Sequence, residues 1–299
     1  MLVSYGFGHV VCMHLPMKTL ILSIRRIFLF LLLTVLTQVG GLSYLASGLC
    51  LRWLPMAGLA AWRRRLMRLS VHAGLYLLLS VAVVPSLAAR FGRVPLPVFG
   101  ASSLGPRSLF TAILNRHYVR PAMRALLLDA SGRMAVRHPG FRLSYFDANF
   151  PFRLGLGPFR AKGFPLLPHL SHSDGRKVDL GFVYRDVNTG VLSRHTPSSI
   201  GYGISEEPLP SERNRPRECQ DHRMYSLMRE VWPQAAKDDY VFDAALTREM
   251  IDGLARDARV EKVLLEPHLT TRLRLGSEKV REVQCGSVRH DDHVHVQVW

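Results

Sequence analysis

Two stretches of the chain hold no charged side chain, residues 27–51 and residues 69–89. As helices they would reach ~37 Å and ~31 Å, long enough to cross the hydrocarbon core of a bilayer. They predict two transmembrane helices. A pair of buried core helices is the alternative, but apolar runs with arginine-rich flanks are unusual in soluble proteins. Pro85, near the end of the second run, is tolerated inside a membrane helix. Residues 92–107 gather Pro95, Pro97, Pro106, Gly100, Gly105, Ser102 and Ser103, the composition of a linker. Residues 108–128 predict two short helices broken at Pro121.

From about Arg137 the pattern changes to short strands and helices. Residues 141–146 alternate apolar and polar side chains and predict a strand, and residues 178–184 predict a second. Residues 242–259 carry Leu246, Met250 and Leu254 at helical spacing, with Asp243 placed to cap the helix. Residues 260–265 and 294–298 predict two further strands, and residues 221–236 a helix disturbed at Pro233. This mixture predicts an α+β fold, one compact domain with an antiparallel sheet over residues 136–299. A membrane segment over residues 1–91 and a linker and juxtamembrane region over residues 92–135 precede it.

The net charge of +16 invites a nucleic-acid partner, but its distribution argues against one. Lys18 and thirteen arginines precede the first acidic residue, Asp129; beyond that point 25 basic and 23 acidic residues nearly cancel. The excess charge belongs to the membrane segment. Arg52, Arg63, Arg64, Arg65 and Arg68 lie between the two apolar runs, with Trp53 and Trp62 suited to the interface. The positive-inside rule puts that loop in the cytoplasm and everything after Arg90 outside. Lys18, Arg25 and Arg26 pull the other way and resemble the n-region of a signal or anchor sequence, with Met17 an alternative start. Four widely spaced cysteines make neither a zinc ribbon nor a dense disulfide scaffold. Cys219 and Cys285 form one disulfide if that part is exported, or stay unpaired.

The chemistry gathers in two clusters. The first runs over residues 168–180 and holds His169, Ser171, His172, Asp174, Gly175 and Asp179. The second runs over residues 289–296 and holds His290, Asp291, Asp292, His293 and His295. Imidazole nitrogens and carboxylate oxygens are both good zinc ligands. His293 and His295 are two apart on a predicted strand and emerge on one face. His290 joins that face only if Asp291 and Asp292 form a turn or bulge. Gly175 permits a tight turn ahead of the strand that carries Asp179, whose side chain leaves the sheet opposite Val178 and Leu180. Together the clusters supply the three protein ligands of an open catalytic zinc site.

Ser171-His172-x-x-Gly175-x-x-Val178-Asp179, followed by His290-x-x-His293-x-His295, resembles the penicillin-insensitive murein endopeptidase family. That family groups with the D-Ala-D-Ala carboxypeptidases and the hedgehog-like fold. The likeness covers about residues 168–180 and 260–298, including the strand at 260–265 and the following Glu266-Pro267. It implies a zinc-peptidase domain with one zinc per chain, held by His172, Asp179 and His295. It implies that His293 acts as base or transition-state stabiliser and that His290 assists; Glu266 and Asp292 are the next candidates for the base. His169 is read as a structural hydrogen-bonding group. His195, His222 and His268 have no partner pattern and are read as ordinary polar residues. The implied function is a membrane-anchored zinc metallopeptidase, a murein endopeptidase or D,D-carboxypeptidase, cutting peptidoglycan cross-links next to D-amino acids. Its place is the inner membrane, with the catalytic domain facing the periplasm. The alternatives are a non-catalytic cell-wall binding or scaffolding module on the same fold and a zinc hydrolase with a different substrate.

Overall fold

The computed structural model describes residues 17–153, 171–222 and 224–299. The chain divides into two units, Met1–Tyr76 and Leu77–Trp299.

In the first unit the apolar run expected to form one straight span is two helices. Helix α1 covers Met17–Thr37 and α2 covers Gly40–Cys50. Between them Gln38 takes a left-handed backbone conformation at φ 67°, which a continuing helix cannot hold. The Thr37 hydroxyl accepts a 2.7 Å hydrogen bond from the Gly40 N–H, so the threonine side chain serves the start of α2. The chain then folds back. A methyl placed on Gly41 would lie 2.7 Å from the carbonyl oxygen of Phe30, eleven residues earlier. The first apolar run is therefore corrected. The stretch long and apolar enough to cross a membrane is Leu20–Thr37, not residues 27–51.

The second such stretch is Ala61–Arg90, longer than the expected 69–89. It comprises α3 (Ala61–Leu78), a π-helical turn at Leu79–Val83 and α4 (Val84–Arg90). Arg63, Arg64, Arg65 and Arg68 thus stand on the helix and not in a loop. The π turn ends two residues before Pro85, where proline removes an N–H from the helical ladder.

The second unit is a mixed α+β fold. Its first elements are β1 (Val94–Pro95), β2 (Leu104–Pro106), α5 (Leu109–Ile113), β3 (Tyr118–Val119) and α6 (Pro121–Arg137). Then come β4 (Leu143–Tyr145), β5 (Lys177–Gly181), β6 (Tyr184–Asp186), α7 (Arg215–Glu218) and α8 (Leu227–Val231). The last are β7 (Tyr240–Phe242), α9 (Ala244–Ala255), β8 (Val260–Leu265), α10 (Pro267–Arg272), β9 (Val280–Glu282) and β10 (His293–Val298). The main sheet has the order β2-β4-β5-β10-β8-β9. Its centre is antiparallel as expected, whereas the edge pairs β2–β4 and β8–β9 are parallel. Two small antiparallel pairs, β1–β3 and β6–β7, complete the strands among the described residues.

Residues 92–135 are not a linker. They supply β2 to the sheet, and α6 sets Met123, Leu126, Leu127 and Met134 into the core. The folded unit starts well before residue 136. Pro121 begins α6, the helical position where its missing N–H costs nothing. The expected helix over 221–236 shrinks to α8 and a 3₁₀ turn at Gln234–Lys237, separated by Pro233. The strand expected over 178–184 is likewise two strands in different sheets, β5 and β6. Asp243 caps α9 as expected, its carboxylate accepting from the Leu246 N–H at 2.9 Å.

The core lies between the sheet and helices α6 and α9. Val178, Leu180, Val294 and Val296 point into it, with Leu126, Ile251 and Leu254 from the helices. Alternation along β5 and β10 then sends Asp179, His293 and His295 to the other face. Cys219 and Cys285 are joined in a disulfide, with their Cα atoms 5.2 Å apart.

Candidate metal centre

Strands β5 and β10 run antiparallel in a register that sets His295 directly opposite Asp179 and His293 opposite Gly181. Directly opposed residues share one face of a ladder, so the pairing alone brings an imidazole to a carboxylate. Gly181 leaves room there, since a methyl on it would lie 2.6 Å from the Thr196 side chain. His172 comes from the segment before β5. Gly175 turns the chain between them at φ 79°, and its N–H donates to the Asn149 side chain at 3.0 Å.

Three donor atoms converge. His295 Nδ1 lies 2.9 Å from Asp179 Oδ1 and 3.2 Å from His172 Nε2. His172 Nε2 lies 3.5 Å from Asp179 Oδ1. A tetrahedral zinc with ligand bonds of ~2.0–2.1 Å needs ligand atoms ~3.3 Å apart, which is the size of this triangle. The buried His172, Asp179 and His295 can hold a metal ion. The His172 Nδ1–H donates to the Ala148 carbonyl at 2.7 Å, which leaves the Nε2 lone pair for the centre.

Further side chains hold this set in place. The Tyr202 hydroxyl donates to the second carboxylate oxygen of Asp179 at 2.8 Å and accepts from the Asp147 N–H at 3.2 Å. Gly201, at φ 101°, lets the loop pass against the Phe146 ring and deliver Tyr202. His293 turns its Nε2 towards the same point, 3.8 Å from Asp179 Oδ1. Its Nδ1–H donates to Asp292 Oδ1, and Asp292 in turn accepts from the Gly203 N–H. The chain bends at Asp291 and Asp292, so His290 does reach this face. The His290 ring centroid lies 4.6 Å from that of His293 and 5.8 Å from that of His295. Its Nδ1–H donates to the Val288 carbonyl at 2.7 Å.

The electrostatics follow from burial beside a few carboxylates. Burial opposes the charge on Asp179, but His172 and His293 outweigh it and hold its pKa well below the ordinary range. Burial also opposes a charge on His293, yet Asp179 and Asp292 push its pKa up to about 9. On His172 the same balance tips upward, chiefly through Asp179. Burial brings His295 down to about 4 despite Asp179, and takes His290 well below its usual value.

Glu266 is not beside the donor triangle. It props the last motif from behind, accepting from the His290 N–H at 3.1 Å and the Tyr225 hydroxyl at 2.8 Å. Burial and the nearby Asp291 raise its pKa to about 7. His268 is buried and donates to the Glu206 carbonyl at 2.7 Å, while His195 and His222 are exposed. His169 lies outside the described residues. Sequence reasoning missed Tyr202; its signal was the Gly-Tyr-Gly run at 201–203, which marks a turn that presents one side chain. A scan against protein-family models and a search of curated proteins find no match for this chain.

Proposed function

We propose that the chain is a membrane-anchored zinc metallopeptidase that cleaves peptidoglycan cross-links next to D-amino acids, as its resemblance to the murein endopeptidases implies. The observation that carries the reading is the buried triangle of His172, Asp179 and His295 with His293 turned towards it. The donor set suits zinc, being two imidazoles and one carboxylate with the His172 tautomer fixed by Ala148. When bound, zinc supplies a Lewis acid for the amide carbonyl and acidity for the attacking water. His172, Asp179 and His295 hold it, and Tyr202 orients Asp179. Beside a bound cation His293 would be neutral, because like charges disfavour each other. It can then take a proton from the water and deliver it to the leaving amine. Asp292 keeps the His293 ring aimed, and His290 stacks behind it.

The domain is exported in this reading. Arg52 and the arginines at the start of α3 favour the cytoplasm, and the Cys219–Cys285 disulfide suits an oxidising compartment. The location is then the inner membrane with the domain in the periplasm.

One observation favours a second reading, a structural metal in a binding module. Each of the five residues at the centre is at most 4% exposed. The test is the full chain in detergent, assayed for zinc and incubated with purified peptidoglycan. The expected result is about one zinc per chain and conversion of cross-linked muropeptides to monomers. A chelator blocks the reaction and β-lactams do not. Zinc-loaded protein that binds muropeptides and never cleaves them favours the second reading.

A further inference from the structure

We infer that residues 27–50 form a re-entrant hairpin that enters one leaflet and leaves by the same face. The chain then crosses the bilayer once, in the helix that starts at Ala61. Composition alone makes the run a span; the fold-back at Gln38 makes it a pair of arms. Residues 27–37 and 40–50 are eleven residues each, and both are helical. Each arm is ~16 Å long, half the ~30 Å hydrocarbon core.

The pair is built for lipid on the outside and for close backbone contact on the inside. The buried residues of α2 are Gly40, Gly41, Ser43 and Ser47. Small residues let helices approach closely where lipid offers no hydrophobic gain for association. Each hydroxyl is satisfied within its own helix. Thr34 and Thr37 donate to Phe30 and Leu33 carbonyls at 2.7 and 2.8 Å. Ser43 and Ser47 donate to Gly40 and Tyr44 carbonyls at 2.9 and 2.8 Å. Gln38 at the tip is 4% exposed, so protein and not lipid surrounds it. The outward side chains Phe28, Leu31, Leu42, Leu45 and Leu49 are all more than half exposed, an apolar surface that polar solvent does not suit.

Charge fixes the depth. No charged residue lies between Arg26 and Arg52. Equal arms bring Arg25, Arg26 and Arg52 to one level at the open end, where anionic headgroups can take their charge. A full crossing by α1 would instead leave Arg25 and Arg26 near the middle of Met17–Thr37, at a costly depth. The hairpin also removes a conflict in the charge pattern. The arginines before the first run and those between the two runs fall on the same, cytoplasmic side, and residues after Arg90 emerge on the other.

The test is cysteine accessibility in the full chain expressed in bacterial cells. Cys12 and Cys50 are replaced by Ala; Cys219 and Cys285 are already paired. Single variants Leu20→Cys, Leu42→Cys, Leu54→Cys and Phe99→Cys are treated with a membrane-impermeant maleimide in intact cells and in inverted vesicles. Denaturation in detergent confirms that each thiol is present. Leu20→Cys and Leu54→Cys are expected to react from the cytoplasmic side, Phe99→Cys from the outside, and Leu42→Cys from neither. Leu42 is 62% exposed in the fold, so its protection reports lipid. Leu20→Cys and Leu54→Cys reacting from opposite sides would restore the straight span and overturn the hairpin. Leu42→Cys reacting from the side of Phe99→Cys would overturn it too, by showing that α1 crosses completely.

Discussion

On one face of the β5–β10 ladder lie Val178, Leu180, Val294 and Val296; on the other, one residue along each strand, lie Asp179, His293 and His295. Both faces are buried. What burial asks of them differs. The apolar face needs volume and shape, and neighbours of similar size can replace one another. The polar face needs a partner for each donor and acceptor, and those partners are individual groups: Ala148 for His172, Tyr202 for Asp179, Asp292 for His293. A slip of one residue in register would exchange the two faces entirely, so the core side chains also set the position of Asp179, His293 and His295.

The sharpest way to separate the faces is to remove His293. His293→Ala should leave metal content and fold in place while the rate of muropeptide cleavage falls ~10²–10⁴-fold. Zinc analysis and the cleavage assay on the same preparation read both. Leu180→Ala attacks the apolar face of the same strand. It should cost ~2–5 kcal/mol of stability in urea titration, with metal content per folded chain unchanged. Loss of metal from the folded variant would mean that the faces are not independent.

A milder change probes how the polar face is held. Tyr202→Phe removes one hydroxyl, the donor to Asp179, and should weaken metal affinity ~10–100-fold in competition with a chelator. The smallest effect compares these histidines with one whose titration no carboxylate steers. Burial brings the His117 pKa down to about 4, opposed by a hydrogen bond with the Thr111 backbone. The unfolded chain therefore takes up a proton near pH 6.5 that the folded protein refuses. Stability should fall as pH drops, by under about 1 kcal/mol between pH 7 and 6. His117→Gln should flatten that slope; an unchanged slope would assign it to another group.

These contrasts also explain which features the sequence could disclose. Val178-Asp179-Leu180 and Val294-His295-Val296 carry the period of a strand, so the opposition of Asp179 and His295 to the core side chains could be read before any fold was known. Asp243 before a helical stripe was legible for a similar local reason. The reversal at Gln38 was not, because a run of apolar residues records immersion and not direction. Residues 92–107 misled because proline and glycine also suit short strand ends. Pro106 closes β2 at the sheet edge, where a missing N–H is tolerated. Tyr202 depends on a loop whose path nothing local dictates. The Cys219–Cys285 pairing is equally non-local, 66 residues apart.

The separation of the ligands has a consequence in time. His172 and Asp179 are synthesised first, and His295 follows Asp179 by 116 residues. At ~5–20 residues per second that interval is on the order of ten seconds, in which only two of the three donors exist. Two donors without the third, and without the strand that pins Asp179 in register, make a poor trap for a metal ion. A metal held by all three donors can therefore be captured only after synthesis has passed His295.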